Sequence, residues 1–382
     1  MPIYYPILFF CGAYVLTFFT IPKIIGLVEN KKLMDEPNNR SSHQKKTPTL
    51  GGVSFFYTLI FTLFFLKYWD QEYETIYFIP GLTILLIIGL KDDLLVLSPY
   101  TKLAAQLCAV GFLLMNNNLV VHSLNGFLGI GEIPLYLYYL IAGFFMLTII
   151  NAYNLIDGID GLAAIVGIVI LVLYTTIFYV TKHYFYMILS LSLNGSLMAF
   201  LAFNLSSTRK IFMGDTGSLI VGFIISILTI KFLSLTPENY EDLPFLLENA
   251  PLIAISILIV PLFDTARVFT IRIANKKSPF SPDRNHIHHI LIDYLSLSHR
   301  NASLIIGGFN LLFIVLFVGL ASTSKNHYLL VVLICFIIGL AYLFFRLDYS
   351  ITNIKRRVSF RKKMKNFTGE VKHGSEKIKR KK

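Results

Sequence analysis

Four acidic positions and one run of imidazoles carry the chemistry available to this chain. Asn154 and Asp157 sit three residues apart in NAYNLIDGIDGLA, Asn151 to Ala163, a spacing that places both on one helical face. Gly158 and Gly161 give the turn its backbone freedom. Asp92 and Asp93 are adjacent at the end of an apolar run. Neighbours on a helix diverge by about 100°, so one of them can face a bound ion while the other meets a different partner. Asp215 stands between two glycines in IFMGDTGSL, with hydroxyls at Thr216 and Ser218 and an apolar run directly after. That pattern is a helix start, whose free backbone amides can hold a phosphate and whose acid can hold a divalent metal. The segment DRNHIHHIL supplies Arg284, His286, His288 and His289. A zinc site there would lack a Cys and fits no common His spacing, whereas a guanidinium and imidazoles suit phosphate oxygens. Mg²⁺, a hard cation, prefers the carboxylates. The set describes metal-assisted phosphoryl transfer, in which the protein mostly positions groups and neutralises charge. Each acid also has a plainer reading as a helix cap or a solvated helix end. No GxxxxGK[ST] occurs, which argues against a P-loop ATPase.

The elements that must position these residues are membrane helices. Hydrophobic residues make up 55% of the chain and charged ones only 15%, against roughly 25% charged in soluble domains, and the mean hydropathy is +0.65. The expected fold is an all-α integral membrane protein with spans at 3–22, 51–66, 76–90, 103–121, 134–156, 162–180, 184–203, 216–233, 250–261, 302–322 and 328–345. Met1 to Thr20 has no basic residue ahead of its apolar run, so it reads as a retained first span and not as a cleaved signal. Pro261 is expected to break the ninth span and turn 262–273 along the interface, a straight span with snorkelling arginines being the other reading. Cys11, Cys108 and Cys335 lie apart in apolar runs and indicate neither a disulfide framework nor a Cys-rich metal site.

Charge sets the expected sidedness. Lys31, Lys32, Arg40, Lys45, Lys46, Lys91, Lys102, Arg209, Lys210, Lys276, Lys277, Arg284 and Arg300 fall in one set of connections, while the other set is richer in acids such as Asp70, Glu72, Glu74 and Glu238. The basic set is then cytoplasmic, the amino terminus outside and the carboxyl terminus inside. Every candidate residue lands on that one face. The net charge of +12 is concentrated in residues 351–382, which hold 13 Lys/Arg and 2 Asp/Glu. The chain divides into a membrane domain, 1–350, and a basic cytoplasmic tail, 351–382, whose charge suits anionic lipid better than nucleic acid.

Five segments in this order, KDDLLVLSP followed by Lys102, NAYNLIDGIDGLA, Asn204 followed by RKIFMGDTGSL, PLFDTARV and DRNHIHHIL, resemble the polyprenyl-phosphate N-acetylhexosamine-1-phosphate transferases. The likeness runs from about Pro37 to Leu291. It implies transfer of a sugar 1-phosphate from a UDP-amino sugar to undecaprenyl phosphate, with release of UMP, at the cytoplasmic face of a bacterial inner membrane. It further implies Mg²⁺, or Mn²⁺ in its place, on Asp215 with Asp157 and Asn154 nearby, and Asp92 or Asp93 as the group that deprotonates or positions the lipid phosphate. Lys102, Asn204, Asp264, Arg284, His286, His288 and His289 are implied to contact substrate, and the loop from Arg40 and His43 to Gly51 and Gly52 is similar to the family's amino-terminal element. The HIHH run and GDTGS resemble the branch that uses UDP-N-acetylglucosamine to start cell-envelope polysaccharides such as O-antigen or teichoic acid. A UDP-N-acetylmuramoyl-pentapeptide donor is the alternative within the family, although Ile287 interrupts the three consecutive histidines usual there. Val96 stands where some members carry a further acid. An alternative of another class is a non-catalytic transporter of lipid-linked sugar, but a transporter would bury its acids near mid-membrane, and these lie at span ends. Membrane lipid is an expected partner, nucleic acid is not, and a homodimer is left open.

Overall fold

The computed structural model describes residues 2, 4–31, 34–35, 47–66, 74–240, 242–279 and 285–347. The helices are α1 (Tyr4–Lys31), α2 (Gly52–Phe65), α3 (Glu74–Leu95), α4 (Pro99–Leu114), α5 (Leu135–Ile156), α6 (Leu162–Val180), α7 (Tyr184–Asn204), α8 (Gly214–Leu233), α9 (Ala250–Ile257), α10 (Ile259–Ala274), α11 (Ile287–Leu295), α12 (His299–Ala321) and α13 (Asn326–Leu347). The apolar runs of the sequence fall on these helices, except that 103–121 extends past the end of α4 and 250–261 is divided between α9 and α10. The protein is all-α, with a two-residue antiparallel pairing of Met34–Asp35 and Thr47–Pro48 between α1 and α2.

Among the described residues seven helices are long and apolar enough to cross a membrane, or eight if the bent pair α9–α10 is one span. The expected eleven are not all of that kind. At about 1.5 Å per residue, the 14 residues of α2 and the 16 of α4 fall short of a hydrocarbon core of roughly 30 Å. In α3 the termini carry Glu74, Lys91, Asp92 and Asp93.

The ninth run is broken, as expected, but the break is at Leu258, where the axis turns by 65°, and Pro261 lies inside the first turn of α10. A proline ring clashes with the carbonyl four residues before it. That carbonyl belongs to Ile257, the last residue of α9, so Pro261 ends the helix upstream of itself.

The bundle is built around α8, whose apolar window is 89% buried. Helices α2, α3, α5 and α6 pack against it. Close approach at its amino-terminal end depends on missing side chains. A Cβ on Gly52 would overlap the backbone of Gly217, and one on Gly89 would lie 2.8 Å from the Thr216 nitrogen. The segment entering α2 also bonds to the segment entering α8: Gly51 and Gly52 donate to the carbonyls of Phe212 and Met213 at 3.0 and 2.9 Å. The start of α8 is thereby held from two sides.

Candidate active site

The first turn of α8 lacks a capping side chain of its own. Its cap comes from α3. Asp93 Oδ1 accepts the Asp215 N–H at 2.7 Å, and Oδ2 accepts the Thr216 N–H at 3.1 Å and the Thr216 hydroxyl at 2.7 Å. The helix start expected to offer free amides to a phosphate has these two already occupied by a carboxylate. Asp93 thereby ties the end of α3 to the first turn of α8.

Around Asp215 the groups expected from the sequence converge. Lys102 of α4 lies 2.8 Å from Asp92 and 3.1 Å from Asp215. Asp92 Oδ1 also accepts the Leu97 N–H, which closes the α3–α4 connection around the pair. Asn154 of α5 donates to Asp215 Oδ1 and to the Ser218 hydroxyl, the latter at 2.7 Å. Asp157 caps the carboxyl end of α5 at φ −76°, ψ 54°, outside helical geometry. Asn154 and Asp157 therefore reach the same cavity from a helix end and not along one continued helical face.

That cavity has a volume of about 450 Å³ and is lined by Asp92, Asp93, Asn154, Asp157, Asn204, Asp215 and His289, among others. Asn204 braces its wall: its Oδ1 accepts the Gly161 N–H at 2.6 Å and its Nδ2 donates to the Ile211 carbonyl at 2.8 Å. Gly161 adopts φ +81°, the left-handed conformation for which glycine carries little penalty. Gly158 serves differently, because a Cβ there would stand 2.6 Å from His288 Cε1. Its absence lets α11 close over the α5–α6 turn.

The three histidines divide. His289 lines the cavity. His286 Nδ1 bonds Asp264 Oδ2 at 2.8 Å, and Asp264 Oδ1 accepts the Ile287 N–H at 2.9 Å. Asp264, 2% exposed, is not part of the cavity lining and anchors the start of α11 from α10, as Asp93 anchors α8 from α3. His288 is buried against Gly158. Burial, with His289 beside it, pushes its imidazole down to about 3, so it is neutral. Arg284 and His43 lie outside the described residues.

A second polar cluster was not anticipated. Asp160 Oδ2 meets Lys210 Nζ at 2.6 Å and His299 Nδ1 at 3.1 Å, and the Ser303 hydroxyl donates to the Asp160 carbonyl at 2.8 Å. Although burial opposes it, the bonds from His299 and Lys210 hold Asp160 below the usual carboxylate range. Asp160 and His299 both line the cavity. The second acid of DGIDG was visible in the sequence; a single His at the start of α12 carried no signal.

Among the described residues no three His, Cys, Asp or Glu side chains are gathered closely enough to hold a metal unaided. Asp157 and Asp215 nevertheless suit a hard cation that keeps part of its water shell and takes one or two carboxylates. Burial, then the charges of Asp215, Asp93 and Asp160, push Asp157 up to about 8. Such crowding is relieved by positive charge placed between the acids.

The sequence profile of glycosyl transferase family 4 matches residues 75–233, the segment from α3 to α8 that contributes Asp92, Lys102, Asn154, Asp157 and Asp215. A probable undecaprenyl-phosphate N-acetylglucosaminyl 1-phosphate transferase of Bacillus subtilis is 33% identical over 301 residues, 77% of this chain and 80% of that protein. An undecaprenyl-phosphate alpha-N-acetylglucosaminyl 1-phosphate transferase of Escherichia coli K12 is 30% identical over 277 residues, 71% of each chain. A protein of the same description from Thermotoga maritima is 29% identical over 322 residues, 84% of this chain and 92% of its own. Fold, site and relatives together define a phosphotransferase set in a membrane by many helices. The chain belongs to the polyprenyl-phosphate N-acetylhexosamine-1-phosphate transferases of glycosyl transferase family 4.

Proposed function

We propose that the protein transfers N-acetylglucosamine 1-phosphate from UDP-N-acetylglucosamine to undecaprenyl phosphate, releases UMP, and so begins a cell-envelope polysaccharide at the cytoplasmic face of the inner membrane. The observation that carries this reading is the convergence of Asp92, Asn154, Asp157, Asp215 and His289 on one cavity, with Lys102 paired to Asp92 and Asp215. The relatives' names supply the donor sugar and the acceptor.

In the reaction an oxygen of the lipid phosphate attacks the sugar-bearing phosphorus of the donor diphosphate. A new P–O bond joins the two phosphates, the bond to the bridging oxygen breaks, and that oxygen leaves with UMP. Asp215 and Asp157 would hold Mg²⁺, for which Mn²⁺ could substitute, and the bound ion would neutralise diphosphate charge and orient the reacting phosphorus. With Asp93 committed to α8, Asp92 is the acid left to place the lipid phosphate and take any proton it retains. A phosphate monoester has a second pKa near ~6, so at neutral pH the acceptor is mostly a dianion and needs placing more than deprotonating. Lys102, between Asp92 and Asp215, brings positive charge to the incoming phosphate. His289, at the cavity wall, contacts the donor diphosphate, a role that the sequence resemblance extends to Arg284.

The test is a screen of UDP-amino sugars with purified protein, undecaprenyl phosphate and Mg²⁺, read as UMP release. Fastest release with UDP-N-acetylglucosamine is expected. Faster release with UDP-N-acetylmuramoyl-pentapeptide would reassign the donor, and no UMP from any of them would overturn the activity.

A further inference from the structure

Helix α11 has a second working face. Ile287 and Leu291, one turn apart, line a separate cavity of about 170 Å³, while His289, roughly 200° around the helix from either, lines the catalytic one. No polar atom contributes to the surface of the smaller cavity. Its floor includes Val260 and Phe263 of α10, 6% and 7% exposed. Phe309 of α12 and Phe344 of α13 form part of its rim. Only 39% and 17% of the apolar windows of those two helices are buried, so the mouth opens toward the bilayer.

An apolar cavity of roughly 150 Å³ stays dry and accepts hydrocarbon. In a bilayer the hydrocarbon at hand is a lipid chain. The charge beside the mouth selects among lipids: Arg346, one helical turn beyond the lining residue Leu343 and so on the same side of α13, is exposed. Basic residues next to a membrane helix attract anionic headgroups. The chain of the lipid acceptor fits less well, because Ile287 and Leu291 face away from His289 and such a chain would have to pass around α11 to reach this cavity.

We propose that the cavity between α10, α11, α12 and α13 seats one acyl chain of an anionic phospholipid, with its headgroup beside Arg346, and that the seated chain braces α11 behind His289. Trp69 is the only tryptophan in the chain, which permits a direct test. A Trp69→Phe, Phe309→Trp variant carries its single indole at the mouth of the cavity. In detergent, phosphatidylglycerol with brominated acyl chains should quench it saturably, near one lipid per chain. Arg346→Gln should weaken that binding by roughly fivefold. Ile306→Phe, which fills the cavity from its lining, should abolish saturation; Leu340→Phe on the rim makes the same test should the first variant not fold. Quenching that rises without saturating, equal affinity for brominated phosphatidylcholine, or displacement by equimolar undecaprenyl phosphate would each overturn the proposal. None of these readouts is turnover, so their outcome is separate from that of the donor and acceptor assignment.

Discussion

Asp93 and Asp215 show how two carboxylates in one cavity acquire different work. Both oxygens of Asp93 are taken by the amides of Asp215 and Thr216 and by the Thr216 hydroxyl. Asp215 instead meets Lys102 and Asn154 at the cavity wall. Removing each should therefore give opposite signatures. Asp215→Asn should lower kcat at least ~100-fold, the order lost when a charge-stabilising group is removed from an active site, with little change in thermal stability. Asp93→Ala leaves two backbone amides without their partner, at about 1–3 kcal/mol for each buried group left unsatisfied, and should lower Tm by several degrees in a thermal melt. An Asp93→Ala protein that melts like the wild type yet turns nothing over would place Asp93 on substrate instead.

At the scale of elements the recurring device is a helix start anchored by an acid from another helix: α8 by Asp93 of α3, and α11 by Asp264 of α10. A carboxylate at a helix amino terminus is favoured by the free amides and the helix dipole, and here it also fixes the two helices to one another. The closing of α11 over the α5–α6 turn depends on the space at Gly158. Gly158→Ala should push His288 aside, since the added Cβ would overlap its ring, and should raise KM for the nucleotide sugar several-fold with little change in Tm. An unchanged KM would mean that α11 does not present His289 to the donor. Much of this was legible beforehand. The apolar runs marked the helices, and NAYNLIDGIDGLA and IFMGDTGSL marked the two junctions that meet. What could not be read is which partner each group finds. Asp93 and Thr216 are 123 positions apart, and no local spacing shows that one caps the other's helix. Periodicity likewise does not separate a glycine needed for its dihedral angle, Gly161, from one needed for the space it leaves, Gly158. The break falls at Leu258 and not at Pro261 because proline acts on the carbonyl one turn before it.

Across the whole molecule, Asp92, Asn154, Asp157, Asp215 and His289 lie at or near helix ends around one cavity, while α8 is closed on nearly every side. An enzyme joining a soluble nucleotide sugar to a lipid phosphate requires this separation, with polar groups gathered where water and bilayer meet and a solid apolar bundle below. In the proposed reaction a sugar 1-phosphate, and not the sugar alone, passes to the lipid at one membrane face. The most direct measurement supplies UDP-N-acetylglucosamine labelled with ³²P at the sugar-bearing phosphate to sealed inside-out and right-side-out vesicles containing the protein and undecaprenyl phosphate. The label is predicted to enter the organic phase from inside-out vesicles only, with unlabelled UMP left in water. Label recovered in water as UDP while the sugar itself moves to lipid, or equal transfer in both vesicle orientations, would contradict the account.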